Sequence, residues 1–393
     1  MFKSRKQQLH FYLIFPNIFN FKGGIQVYSA FLLEVLRDLY PDAIYDIFLK
    51  YDHCFNLPES FEGLIRFHYF GRFPRSLQSL LLGLHILVQG LRQRPLLLIT
   101  THINYSIPCY YLWKISKIPY WIIAHGDEVW NLKHPLRQAA LREAQQVIAV
   151  SHYTRQRLLA EQNLRPSQVS VLSNTFDADR FQITSKPAHL LKKYGLTSQQ
   201  PVILTVSRLG RTAAPYKGYY QVIQALPQIL QQIPNAHYLL VGKGDALPEI
   251  EQLVHQLDLE DHVTLTGFIP DEALSSYYNL CDVFALPSSI EGFGIVYLEA
   301  LACGKPVLAG NQDGAVDPLD HGKYGCLVNP ADIDEIAHNL VQILQGSYPN
   351  SLLYQPQQLR QHAVDSFSQE QFENTLAQLL QTQFKLTNKQ LEK

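Results

Sequence analysis

Val283-Phe-Ala-Leu-Pro-Ser-Ser-Ile-Glu291-Gly-Phe-Gly-Ile-Val-Tyr-Leu-Glu299-Ala-Leu-Ala-Cys-Gly304-Lys-Pro306 reads as a buried strand, a glycine corner and a helix. The apolar run before Pro287 has the length of a strand, and the apolar residues from Ile295 to Cys303 recur at helical spacing. Gly292, Phe293, Gly294 and Ile295 therefore sit where a strand turns into a helix. A helix start presents unpaired N–H groups and the positive end of its dipole, and missing Cβ atoms let a phosphate come close, so a pyrophosphate is the natural guest. Glu291 in the turn and Glu299 in the second helical turn face different parts of one extended ligand, as sugar and ribose hydroxyls would require. Two glutamates at this spacing are more often a solvated helix face. The Gly-Phe-Gly and Ala-Cys-Gly-Lys-Pro around them argue against that.

Working outward, apolar runs at Val202–Val206, His237–Val241, Val263–Thr266, Asp282–Leu286, Pro306–Ala309 and Gly325–Val328 alternate with helical patterns. The first half alternates in the same way, with candidate strands at Leu9–Phe15, Ile44–Leu49, Leu64–Tyr69, Leu96–Thr100, Tyr120–Ala124, Gln146–Val150 and Val169–Leu172. This is the signature of parallel strands joined by helical crossovers. The predicted fold class is α/β, with two Rossmann-like doubly wound domains facing across a cleft. The expected boundaries are 1–180 for an acceptor-side domain, 181–200 for a linker, 201–368 for a nucleotide-sugar domain, and 369–393 for a helix packing back on the first domain. Ligands of open parallel sheets bind beyond the carboxyl ends of the strands. Gly23 and Gly24, after the first strand and before a helix, form a second glycine corner suited to anions, so donor and acceptor are expected to meet between the domains.

The chain of 393 residues has a formal charge of −1, so no long-range field draws it as a whole to nucleic acid or an anionic membrane. Five scattered cysteines without a Cys-x-x-Cys pair speak against a disulfide framework and a zinc site, and fit a reducing, cytoplasmic setting. None of the fifteen histidines falls at metal-ligand spacing. Ser79–Leu91, flanked by Arg72, Arg75, Arg92 and Arg94, has two readings. It is a helix lying on a membrane surface, peripheral at its inner face, or, as the favoured alternative, a buried helix of the α/β domain.

Breaking a sugar–phosphate bond builds negative charge on the leaving diphosphate, which fixed cations can stabilise. Arg208, after Ser207 at the end of one strand, and Lys217, before the next helix, rise from one strand-end loop. The insertion Gly210–Pro215 lengthens that loop, and its Arg211 competes for the same role. His125 follows the strand Tyr120–Ala124, where a histidine can donate to a sugar hydroxyl or merely cap structure. Asp127 is a weaker acceptor-side candidate, as is His102 beyond Thr100.

These elements, across most of residues 200 to 330, resemble the nucleotide-sugar site of the retaining glycosyltransferases of family 4, which have the two-domain GT-B fold. The resemblance implies that Glu291 binds donor-sugar hydroxyls, that Glu299 binds the ribose, and that Arg208 and Lys217 hold the pyrophosphate. It also implies that His125 touches the donor sugar, and that Gly242-Lys-Gly244 and Gly267-Phe268 wall the nucleotide base. Where many members carry Gly-Gly-x-x-Glu, this chain has Asn311-Gln-Asp-Gly314-Ala-Val-Asp317. Asp317 is expected to cap the next helix. The implied activity is retaining transfer of a hexose-type sugar from a nucleoside-diphosphate donor to an acceptor hydroxyl of a glycan or lipid-linked molecule, with no metal, cofactor or nucleic acid. A nucleotide-sugar epimerase on the same fold and a non-catalytic sugar-nucleotide-binding protein are the alternatives. The first would need additional acid–base carboxylates near the sugar.

Overall fold

The computed structural model describes residues 8–19, 23–53, 64–211 and 217–391, with side chains up to 385. Two compact units divide the chain. The first runs to Ser173 and resumes at Phe372, and the second is Asn174–Gln371.

The first unit carries a seven-stranded parallel sheet of β1 (His10–Phe15), β2 (Ile44–Leu49), β3 (Ile65–Tyr69), β4 (Leu97–Thr100), β5 (Tyr120–Ala124), β6 (Gln146–Ala149) and β7 (Val169–Val171), in the order β3-β2-β1-β4-β5-β6-β7. The second carries β8 (Val202–Val206), β9 (His237–Val241), β10 (Val263–Gly267), β11 (Val283–Leu286), β12 (Val307–Gly310) and β13 (Cys326–Val328), in the order β10-β9-β8-β11-β12-β13. Central strands such as Phe11–Phe15 and Val202–Leu204 are fully buried, as expected of strands covered by helices on both faces. In each sheet the order reverses beside the unit's first strand. The switch points lie between β1 and β4, and between β8 and β11, where an open sheet offers a crevice at its carboxyl edge.

Helices α1 (Gly24–Leu39), α2 (Arg75–Gln93), α3 (Ser106–Ser116), α4 (Pro135–Glu143) and α5 (His152–Glu161) belong to the first unit. In the second are α6 (Ala188–Tyr194), α7 (Tyr219–Gln232), α8 (Leu247–Gln256), α9 (Asp271–Leu280), α10 (Ile295–Ala302), α11 (Ile333–Leu344) and α12 (Pro356–Phe367). The last helix, α13 (Gln369–Leu391), is part of the first unit from Phe372 onward. Its Phe372 ring packs edge-on to Tyr28 at 5.3 Å, Phe384 lies 5.9 Å from Tyr40, and Gln383 accepts from the Trp121 indole N–H at 3.3 Å. Buried Asp46 on β2 ties three strands together, each carboxylate oxygen 2.6 Å from the Nε2 of His10 on β1 or His68 on β3.

Two expectations need correction. The stretch 181–200 is no loose linker but part of the second unit. It carries α6, and its backbone is bonded by Asn279, which accepts from Thr184 N–H at 2.8 Å and donates to Gln182 C=O at 2.9 Å. Lys186 adds an ion pair with Asp282 at 2.6 Å. Its apolar periodicity is weak because its buried anchors Phe181, Leu190 and Leu196 are widely spaced, and side-chain hydrogen bonds fasten the backbone between them. Ser79–Leu91 lies within α2, and the buried-helix reading accounts for only one side of it. Leu82 and Ile86 are buried, while Leu80, Leu84, Val88 and Leu91 are exposed.

Candidate functional site

The strand order of the second sheet brings the predicted cations and carboxylate to one switch point. Arg208 follows β8, and Glu291 follows β11 beside it. Lys217 Nζ donates to Glu291 Oε2, so these two residues form an ion pair, both largely buried. Arg208 is exposed, and among the described residues it forms no ion pair. Of the insertion, 212–216 lie outside the described residues. The Arg211 guanidinium pairs with Glu249 at 3.0 Å, both side chains about half exposed, and its backbone N–H donates to Asp245 at 2.9 Å.

Glycine makes the close packing of these loops possible. Gly218, which caps α7 at φ 79°, leaves no room for a side chain, since a Cβ there would meet the Pro287 carbonyl oxygen at 2.4 Å. At Gly242, with φ 151°, a Cβ would lie 1.8 Å from the Ser207 carbonyl oxygen. Ser207 N–H donates to Val241 C=O at 2.9 Å and Leu209 N–H to Lys243 C=O at 3.1 Å, so the β8 and β9 loops are zipped together by backbone. Phe268, after β10, is 61% exposed, with Lys243 Nζ 4.6 Å from its ring centroid. It is a flat apolar surface open to a planar ligand.

At the glycine corner, Gly294 caps α10 at φ 88° with no side-chain cap. Phe293 lies within this corner. Its ring is buried against Phe367 at 5.3 Å, so only its backbone is placed to meet a ligand. Asp313, which sequence reasoning missed, organises the corner. Its Oδ2 accepts from Ser288 Oγ at 2.6 Å and from Glu291 N–H at 2.7 Å, and its Oδ1 accepts from Ala315 N–H at 2.9 Å. Asp313 is thus the N-cap of the 3-10 turn Gly314–Val316, which Asp317 closes at its other end, whereas the next turn, Asp320–Gly322, starts at Leu319 with no side-chain cap, so the expected cap by Asp317 is not formed there. The signal was available, for a short acid directly before a glycine turn is a typical cap. Burial pushes the Asp313 carboxyl up to about 7, against the Ser288 hydrogen bond and with help from the Glu291 charge. Glu299 is 9% exposed and accepts from the Tyr278 hydroxyl at 2.6 Å. Burial likewise pushes it up to about 7, with the Tyr278 hydrogen bond opposing.

In the first sheet, Gly23 and Gly24 follow β1 and His102 follows β4, on the two sides of that unit's switch point. Gly23 is extended at φ −148°, and a Cβ on Gly24 would meet nothing within 4 Å. His102 caps a 3-10 turn, its Nδ1 accepting from Asn104 N–H at 3.1 Å. Burial lowers its imidazole to about 4, and Arg137 and Lys50 add to the effect. His125, after β5, stands edge-on to Tyr28 at 5.1 Å, and its Nε2 is buried without a hydrogen-bond partner among the described residues. Burial, aided by His102, lowers it to about 3, so it is neutral. Asp127 is exposed. Its neighbour Glu128, also missed, accepts from His125 N–H at 2.6 Å, a glutamate three residues on closing back as in a capping box. Burial pushes Glu128 up to about 7. Beyond β2 and β3, Tyr51, His53, Gly71, Phe73, Arg75 and Gln78 line a cavity of about 750 Å³.

Two family models match almost end to end. Glycosyltransferase Family 4 covers residues 23–180, and Glycosyl transferases group 1 covers residues 189–363. The chain belongs to the family-4 glycosyltransferases. It is 37% identical over 226 residues to a GDP-mannose-dependent alpha-(1-6)-phosphatidylinositol monomannoside mannosyltransferase of Mycolicibacterium smegmatis, covering 54% of this chain and 57% of that one. It is 28% identical over 257 residues to the N-acetyl-alpha-D-glucosaminyl L-malate synthase of Bacillus anthracis, covering 62% of this chain and 65% of that protein. The match thus spans between half and two thirds of the length of these curated relatives. Among solved structures, a sucrose-phosphate synthase of Thermosynechococcus elongatus superposes with a TM-score of 0.80 at 23% identity, over 96% of this chain and 100% of that one. Anabaena HepE in complex with UDP gives 0.76 at 21% identity, over 95% and 100%. At these identities the likeness speaks to the fold, which is GT-B.

Proposed function

We propose that the chain is a retaining glycosyltransferase that moves a hexose-type sugar from a nucleoside diphosphate to an acceptor hydroxyl, without a bound metal or cofactor. The observation that carries this reading is the Lys217–Glu291 pair held over the glycine corner by Asp313, with Arg208 exposed beside it. In this reading the ion pair with Lys217 aims Glu291 at the sugar hydroxyls. Arg208, Lys217 and the α10 start take up the charge that develops on the leaving diphosphate. Phe268 stacks on the base, and Glu299 reaches the ribose once a ligand draws it from Tyr278. Neutral His125, whose Nε2 has no partner among the described residues, touches the donor sugar. The acceptor attacks the face from which the diphosphate leaves, and a phosphate oxygen takes its proton.

The relatives named as phosphatidylinositol monomannoside mannosyltransferases support a lipid-linked acceptor. The 750 Å³ cavity beyond β2 and β3 is where we place it. The test is a panel of nucleoside-diphosphate sugars incubated with the protein and a chelator, with and without glycolipid. Release of nucleoside diphosphate from one donor, increased by acceptor, is expected. No release and no thermal shift with any donor would sink the reading.

A further inference from the structure

The overall charge of −1 conceals a segregated region. From Gly63 to Gly126 the sequence has seven Lys and Arg and no Asp or Glu. Within this stretch lies α2, whose buried side is Gln78, Leu82, Ile86 and Gly90. Leu77, Leu80, Leu84, Val88 and Leu91 are instead between 42% and 58% exposed. At about 100° per residue these five fall within an arc of about 80°, centred opposite the buried side, and at about 1.5 Å per residue the row is about 21 Å long. The solvent face of α2 is therefore a continuous aliphatic stripe. Its ends are basic, with Arg72 and Arg75 at one and Arg92 and Arg94 at the other, all exposed. Helix α3 packs alongside, so closely that a Cβ on Gly90 would meet Leu112 at 2.6 Å. It adds exposed Tyr111 and Ile115, with Lys117 over the Trp113 ring at 5.2 Å and Lys114 paired with Glu143 at 2.8 Å.

We propose that this face of α2, with the rim of α3, seats on the surface of a bilayer rich in anionic lipid. The aliphatic row enters the boundary between head groups and acyl chains, and the arginines at both ends meet lipid phosphates. A large apolar face flanked by cations, on a helix that carries no acid of its own, is the composition that binds in this way, and Glu143 offsets only Lys114 on the α3 rim. Charge complementarity selects the occupant. A second copy of the chain would set the same arginine-flanked face against itself, whereas an anionic bilayer neutralises it. No helix among the described residues is long and apolar enough to cross a membrane, so the contact is peripheral. Helix α2 begins at Arg75, which also lines the 750 Å³ cavity. On the transfer reading, docking therefore sets the acceptor cavity beside the lipid. The docking surface does not depend on that reading.

The experiment is co-sedimentation of the full chain with vesicles of phosphatidylcholine alone or mixed with phosphatidylglycerol, at low and high salt, without donor or acceptor. The wild type is expected to sediment with the anionic vesicles at low salt and to be released by salt. Leu80→Gln/Leu84→Gln, at two sites about half exposed, is expected to keep its melting temperature and lose most of the binding. Arg72→Gln/Arg75→Gln should bind about 25-fold more weakly, from about fivefold per cation. Three results would overturn the proposal: no sedimentation of the wild type with anionic vesicles, sedimentation of the variants equal to wild type, or a wild-type dimer in solution that Leu80→Gln/Leu84→Gln dissolves. Diphosphate release measured on the same samples keeps failure of docking separate from failure of the transfer reading.

Discussion

At the rim of the first sheet the histidines beside the switch point are neutral. Burial lowers His102 to about 4 and His125 to about 3, and the glycine corner at Gly23 and Gly24 has an extended backbone and open space around it. At the rim of the second sheet there is an ion pair, an exposed arginine, and glycines so tightly packed that no side chain fits. A rim of neutral donors suits a hydroxyl, and a rim of fixed charge and backbone amide suits a diphosphate. The same strand order thus carries two different chemistries, set by what each strand-end loop contributes.

The largest break in this contrast comes from removing the exposed cation. Arg208→Ala is expected to lower diphosphate release about a hundred- to a thousandfold, as loss of one preorganised charge-stabilising donor does. Because Arg208 is exposed, the melting temperature should stay near wild type. Steady-state kinetics with the best donor, beside a thermal melt, reads both. A loss smaller than tenfold would place the developing charge elsewhere, with Lys217 and the α10 start as the remaining candidates.

The two glycine corners separate next. Gly294→Ala puts a Cβ 2.3 Å from the Tyr297 ring at φ 88°, and should cost about 2–4 kcal/mol of stability. Gly24→Ala meets nothing within 4 Å and should change stability by about 0.5 kcal/mol or less. Urea denaturation measures both. If Gly24→Ala also impairs turnover, that glycine serves a ligand rather than the fold. If it does not, the first corner is no anion site.

Much of this arrangement was legible in the sequence. The strands of both sheets are apolar runs bounded by turns, and burial on two faces imposes that pattern, so their order of appearance already implied two doubly wound sheets. Site residues that follow a strand directly, such as Arg208, His125 and Glu291, could be placed for the same reason. What could not be read are pairings between loops distant in the chain. Lys217 was assigned to the diphosphate and Glu291 to the sugar, yet they bond each other across 74 positions. Asp313 supports the corner from the next strand-end loop, and Asn279 and Asp282 fasten a stretch that looked like a linker. In α2 the apolar residues run around the helix, so spacing alone did not show which leucines the fold covers.

The contrast sharpens further in the sign of the pH dependence in the two units. In the second, Glu299 keeps its proton to about 7 when folded, whereas an exposed glutamate loses it near 4.5. Between those values the native state holds more protons than the unfolded state, so this group makes stability fall as pH rises to about 7. Glu299→Gln removes that slope, and should gain on the wild type by on the order of 1–3 kcal/mol across this window. In the first unit, His125 is neutral down to about 3 when folded, while the unfolded chain protonates it below about 6.5. Its contribution is present above 6.5 and is lost as pH falls toward 3, so His125→Asn should flatten the acid side, by about 1.4 kcal/mol for each pH unit below 6.5. Denaturation of wild type and both variants at several pH values tests the pair. Parallel curves for wild type and Glu299→Gln would mean that Glu299 is already ionised in the folded protein, so that it could accept from a ribose hydroxyl without first losing a proton, while the Tyr278 hydrogen bond it must give up would be stronger.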